Sequence, residues 1–192
     1  MTKLNKFRSL LLGLALLLSC NVMHAASIEQ PGVLLRIVST VTGKALSNGN
    51  EAEHDKFLRM DELDNNAQGQ DWVLVRVDAE DPDLYALYNP HYNMGVDMAP
   101  GQKYHLLQWE GDPTNANQQF MIQEVEGMEG VYQFFTSSLD RVLTVREDGS
   151  LYMDQNIKDK NTYFRLESTG KLATTLIPHQ TYVFKNKNNG QV

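Results

Sequence analysis

A motif that returns about every fifty residues constrains this chain more than any other feature. Four segments open alike: LRIVSTVTGKALS from Leu35, YALYNPHYNMGVD from Tyr85, YQFFTSSLDRVLT from Tyr132 and YVFKNKNNGQV from Tyr182, stepping by 50, 47 and 50 residues. Each sets an apolar residue, a spacer and a second apolar residue ahead of a polar turn. A second marker keeps the same phase: Gln70-Asp71-Trp72, Gln118-Gln119-Phe120 and Thr162-Tyr163-Phe164, stepping by 48 and 44. Two independent markers on one period identify a repeat architecture, in which no unit buries its apolar face except against its neighbours.

Within each unit the apolar segments are short, alternating and bounded by turn residues, the signature of strands. The first unit reads VLLRIVST, KALS, KFLRMDEL and QDWVLVRV. The second reads LYALYN, GVDM, YHLLQWE and QQFMIQEV, and the third VYQFFTS, RVLTV, SLYMDQ and TYFRLE. No segment keeps a helical period over the length of a helix. The expectation is an all-β fold of three four-stranded units related by a pseudo-threefold axis, with Trp72, Phe120 and Phe164 plugging one shared core.

The fragments GKALS, NQQF and QDW resemble the ricin-B family, whose units carry a Gly-Lys-x-Leu-Asp type second strand and end in Gln-x-Trp. The resemblance runs from about Gly32 to Thr169, with repeats at about 32–79, 84–126 and 131–169. It implies a β-trefoil with up to three shallow sugar sites, one per repeat, galactose-type sugars being the family's commonest ligands. The stretch 170–192 is not needed for twelve strands, yet Tyr182 to Val192 restarts the repeat. Two explanations stand: a relic of a longer tandem protein, or an extra strand that happens to match.

A pyranose presents a ring of hydroxyls and one apolar face. A shallow site for it therefore needs a carboxylate or amide for the hydroxyls and an aromatic ring for the face. In the family the carboxylate follows the second-strand leucine, the aromatic ends the third strand, and an Asn-Gln pair precedes the core aromatic. The second repeat matches at every slot. The resemblance implies Asp97 as main hydroxyl acceptor, Trp109 as stacking platform, Asn117 as a second hydroxyl partner and Gln118 as a contact or, more often, a brace. Gln108 and His105 flank the same strand as further candidate contacts. The first repeat has Ser47 for the aspartate, Gly69 for the asparagine and Met60 or Asp61 for the aromatic, and so offers no platform. The third is intermediate, with Thr144 in the aspartate slot, Tyr152 on the third strand, Asn161 keeping the amide and Thr162 replacing glutamine; Asp154 is either a substitute carboxylate or a solvated loop residue.

Lys3, Lys6 and Arg8, the apolar run Leu10 to Leu18 and the exit Ala25-Ala26 read as a secretory signal, residues 1–25. The expected location is secreted or periplasmic. Cys20, the only cysteine, follows Leu17-Leu18-Ser19 and has two readings: it is discarded with the signal, or it is lipidated and anchors the protein to a membrane. Either way the folded part has no thiol for disulfides, thiolate metal sites or nucleophilic catalysis. The net charge of −7 becomes about −10 without the signal, which repels nucleic acid and anionic lipid.

The five histidines (His24, His54, His91, His105 and His179) have no metal-site spacing, and the acidic run Asp78, Glu80, Asp81, Asp83 lacks the glycine turn of a calcium loop. Asp61, Glu62 and Asp64 lie too close in sequence to straddle a glycosidic bond. No cofactor and no catalysis are expected. The residues point to an exported lectin-like protein. A second reading is a degenerate trefoil that binds protein, such as a toxin delivery subunit, with Tyr88, Tyr92 and Tyr104 as a candidate aromatic patch. A trefoil enzyme inhibitor is a weaker third, because no protruding reactive loop is evident.

Overall fold

The computed structural model describes residues 31–155, 158–177 and 182. The signal segment, Cys20 and the repeat restart beyond Tyr182 lie outside the described residues.

Among the described residues the fold is all-β, with only 3₁₀ turns between thirteen strands. The first repeat contributes β1 (Val33–Ser39), β2 (Ala45–Ser47), β3 (Lys56–Phe57), β4 (Arg59–Asp61) and β5 (Val73–Arg76). The second contributes β6 (Leu84–Asn89), β7 (Met94–Ala99), β8 (His105–Glu110) and β9 (Gln119–Glu124). The third contributes β10 (Val131–Thr136), β11 (Val142–Val145), β12 (Leu151–Asp154) and β13 (Phe164–Leu172). Thirteen strands stand where twelve are expected because KFLRMDEL breaks at the buried Leu58. Its first half pairs with β8 of the next repeat, and its second half with β2 of its own.

The first and last strands of the repeats close a six-stranded barrel. Antiparallel pairing runs β5–β6–β9–β10–β13–β1. The ring shuts between β1 and β5, where Leu35 and Trp72 exchange both backbone hydrogen bonds at 2.8 and 3.0 Å. Closure leaves the barrel without a free edge. The hairpins β2/β4, β7/β8 and β11/β12 form a cap over one end, and they also join in a ring. β3 pairs β8, Tyr152 of β12 pairs His105 of β8, and Arg59 bridges Ser150. This is a β-trefoil.

Trp72, Phe120 and Phe164 are buried at the barrel centre in one cluster. Trp72 donates its indole N–H to the Leu46 carbonyl at 2.9 Å, and Phe134 meets Phe164 edge to face. The first repeat also buries a polar network: Arg36 pairs with Asp71 at 2.9 Å and donates to the Ala67 carbonyl, and the other Asp71 oxygen lies 3.0 Å from His91.

The start of the tail has a role of its own. Ala173 donates to the Gly32 carbonyl, and Ile177 completes a second apolar cluster with Leu34, Val73, Val75, Ala86 and Tyr88. Residues 173–177 thus cover the outside of the seam between the first two repeats.

Candidate functional site

Strand register fixes which side chains share a face, because residues directly opposite in an antiparallel pair point the same way and alternate along the strand. In β7/β8, Gly95 lies opposite Trp109, Val96 opposite Gln108, and Asp97 opposite Leu107. Asp97 and Trp109 therefore share the outer face of the hairpin, two residues apart in register. Val96, Leu106 and Gln108 share the inner face, where all three are 0% exposed.

That parity corrects the expectation for Gln108. A ligand at Trp109 does not reach it. By register Gln108 occupies the position held by Met60 in β4 and Met153 in β12, both buried. Its amide nitrogen and oxygen have no hydrogen-bond partner among the described residues.

Asp97 is 7% exposed, and no ion pair among the described residues involves it. Its carboxylate accepts from Gln118 Nε2 at 3.1 Å and from Asn115 Nδ2 at 3.4 Å. Burial raises the Asp97 carboxyl above its ordinary pKa; the Gln118 hydrogen bond offsets part of this and the charge of Asp55 adds to it. Trp109 is 38% exposed and stacks on His54, a first-repeat residue, with ring centroids 4.8 Å apart. The rest of the indole borders an open cleft lined by Glu110, Gly111, Asp112, Thr114 and Asn115.

Gln118 is a brace. It is buried, accepts from the Asp112 N–H at 2.8 Å and donates to the Glu110 carbonyl at 2.9 Å as well as to Asp97. With both amide hydrogens and its oxygen engaged, it positions Asp97 and the 110–118 loop rather than meeting a ligand. The side chain crosses directly over Gly95: a Cβ there would stand 2.5 Å from Gln118 Oε1. Gly95 is thus required by close approach. Asn117 is half-buried in the 3₁₀ turn Ala116–Gln118, and its side-chain amide makes no hydrogen bond among the described residues.

Sequence reasoning missed Asn115. Its side chain caps that turn by accepting from the Asn117 N–H at 3.0 Å, touches Asp97, and lines the cleft. The signal was available: a short polar residue two positions before Asn117 is where a 3₁₀ turn takes its cap.

The other repeats lack this arrangement. In the first, Ser47 stands in the Asp97 position and Asp61 in the Trp109 position, by the pairings Ser47–Arg59 and Ala45–Asp61. Asp61 is held by Arg59 at 2.8 Å. Gly69, in the Asn117 slot, donates to Asn50 Oδ1, and a Cβ on it would collide with Asn48 Oδ1 at 2.4 Å. The first repeat's own loop therefore fills that space. In the third, register puts Asp154, not Tyr152, in the Trp109 position, and Tyr152 opposite Thr144. The slot of Asp97 is held by Thr144 and not by Asp154, and Tyr152 turns toward His105, 3.7 Å between centroids. The tyrosine patch does not form: Tyr88 is buried in the second cluster, and Tyr104 lies beneath the Arg141 guanidinium.

No family model matches this chain, and no curated protein is similar to it in sequence. Solved structures are. The BEL β-trefoil matches with TM-score 0.64 at 16% identity, over 75% of this chain and 98% of that one. The C-half of an earthworm R-type lectin, solved with GalNAc, matches with TM-score 0.53 at 16% identity, over 71% and 98%. A chain of the Haemophilus ducreyi cytolethal distending toxin matches with TM-score 0.59 at 11% identity, over 78% and 91%. At such identities the likeness is one of architecture: the chain is a β-trefoil.

Proposed function

We propose that this protein binds carbohydrate through one shallow site in the second repeat. Asp97 accepts from vicinal hydroxyls, Trp109 covers the apolar ring face, and Asn115 and Asn117 supply further amides, with Gln118 as the positioning residue. The observation that carries the reading is Asp97 itself. A buried carboxylate with a raised pKa and no cation is unfavourable to the fold, and such groups concentrate where ligands bind. It stands on the same face as a partly exposed indole, the pairing of acceptor and platform that a pyranose requires. The lectin solved with GalNAc supports the same ligand class on this architecture.

The reading is of a binding module rather than an enzyme, exported by the segment 1–25, with Cys20 either removed or lipidated. A glycan-array screen of the exported protein, beside Asp97→Asn and Trp109→Ala, tests the site. Binding to a defined glycan that falls at least tenfold in both variants supports it. Well-folded protein with no glycan signal sinks it. Mass spectrometry of the exported N-terminus separates a cut after Ala25 from a lipid on Cys20.

The toxin chain favours one second reading, a protein-binding trefoil within a toxin assembly, since the match spans nearly all of that chain. Co-purification with a catalytic subunit, unaffected by Asp97→Asn, would support this reading over the first.

A further inference from the structure

We propose that the site in the second repeat is the end of a longer platform, and that the ligand is an extended oligosaccharide rather than a single sugar. The inference rests on the proposed sugar site and deepens it. Along β8 the outer-face residues are Trp109, Leu107 and His105. Leu107 is flanked in register by Asp97 on one side and by Phe57 of β3 on the other. His105 is flanked by Tyr152 of β12. One face by register therefore carries the carboxylate, the indole and a second aromatic group; Leu107 at its middle is buried with the exposed Phe57 beside it, and the face is assembled from all three repeats.

Phe57 is 48% exposed, its ring 4.8 Å from His105, which meets Tyr152 edge-on at 3.7 Å. The Arg146 guanidinium lies 3.6 Å above the Tyr152 ring and brings donors to the far end. Four residue steps of strand separate Trp109 from His105, about 13 Å at the usual rise, a span longer than one pyranose. Burial, Arg146 and Lys103 lower the His105 pKa, so near neutrality the imidazole both donates and accepts, as a hydroxyl partner must. The exposed rings of Trp109 and Phe57, with the His105–Tyr152–Arg146 stack at the far end, suit the alternating apolar faces and hydroxyl rims of a sugar chain. The face they share with Asp97 indicates what lies on it.

The test is an array presenting β-linked galactose, N-acetylgalactosamine, glucose and N-acetylglucosamine, each as monosaccharide and tetrasaccharide. For the sugar that binds, the tetrasaccharide is expected to bind roughly tenfold tighter than the monosaccharide. Phe57→Ala and Tyr152→Ala are expected to bring that ratio near one while leaving monosaccharide binding intact. Retained monosaccharide binding and an unchanged melting curve show that the variants fold. Equal affinity for mono- and tetrasaccharide in the wild type, or a ratio untouched by both variants, overturns the extended platform while the Asp97 site stands, and would turn attention to a protein partner for this face. No binding to any of the eight overturns both.

Discussion

The first and second repeats keep the same frame and differ in what they leave open. Gln70 and Gln118 do the same job at the same place. Gln70 accepts from the Asp64 N–H and donates to the Glu62 carbonyl, as Gln118 does with Asp112 and Glu110. Yet only the second repeat sets a carboxylate beneath that glutamine and a partly exposed indole beside it. The first repeat spends its polar groups inward, on Arg36 and Asp71, and closes its outer slots with Asn48, Asn50 and the Arg59–Asp61 pair. The glutamine of the repeated motif thus reports on the turn and not on a ligand, and a repeat can keep its motif while its outer slots are filled.

Breaking the inward investment should have the largest effect. Arg36→Ala leaves Asp71 buried without its cation and is expected to cost about 3–5 kcal/mol in urea denaturation. Gly95→Ala tests the outward one. The first repeat already has Ala45 at this position, opposite Asp61, but in the second a methyl would displace the Gln118 oxygen. We expect a loss of about 1–3 kcal/mol together with weaker glycan binding, since the brace and Asp97 move together.

Gln108→Met should act in the opposite direction. It places in the second repeat the residue that both others carry there and removes an unsatisfied buried amide, for a gain of roughly 1 kcal/mol by thermal melting. Glycan binding should be unchanged; a loss would return Gln108 to the site.

The smallest stability effect, and the most informative, is that of Asp97→Asn. The folded-state pKa of Asp97 is raised, so the folded protein holds this proton more tightly than the unfolded chain. The stabilisation is full below the unfolded pKa and is lost as pH rises through the folded pKa. At neutral pH the ionised carboxylate therefore opposes folding, and Asp97→Asn should be as stable as the wild type or slightly more so while losing binding. It should also flatten the stability change across that acidic window. In the wild type, glycan binding should weaken as pH falls through the same window. A marked loss of stability at pH 7 in Asp97→Asn would show that the carboxylate serves the fold.

The fold was legible because period is a global property: three strand sets at fixed spacing leave few ways to bury Trp72, Phe120 and Phe164 together. The placement of Asp97 and Trp109 on the second repeat's hairpin was legible because each slot is defined along one strand. What escaped was set across strands. The parity that turns Gln108 inward follows once Trp109 faces out, yet a polar residue beside a site invites assignment to it. The exchange of roles between Tyr152 and Asp154 depends on the β11/β12 register, and the break at Leu58 on a partner in another repeat. No local pattern carries either.

The barrel seam has a kinetic consequence. β1 is held on one side by β5 and along most of its length by β13, from Val33 opposite Leu172 to Ser39 opposite Phe164. The first strand to appear waits for the last, so the chain cannot complete its hydrogen-bonded ring until more than 130 residues have been delivered. Contacts so distant in sequence make for slow folding. Under the proposed export the delay would be useful, because a domain that closes only on its final strand remains threadable until almost all of it has crossed a pore.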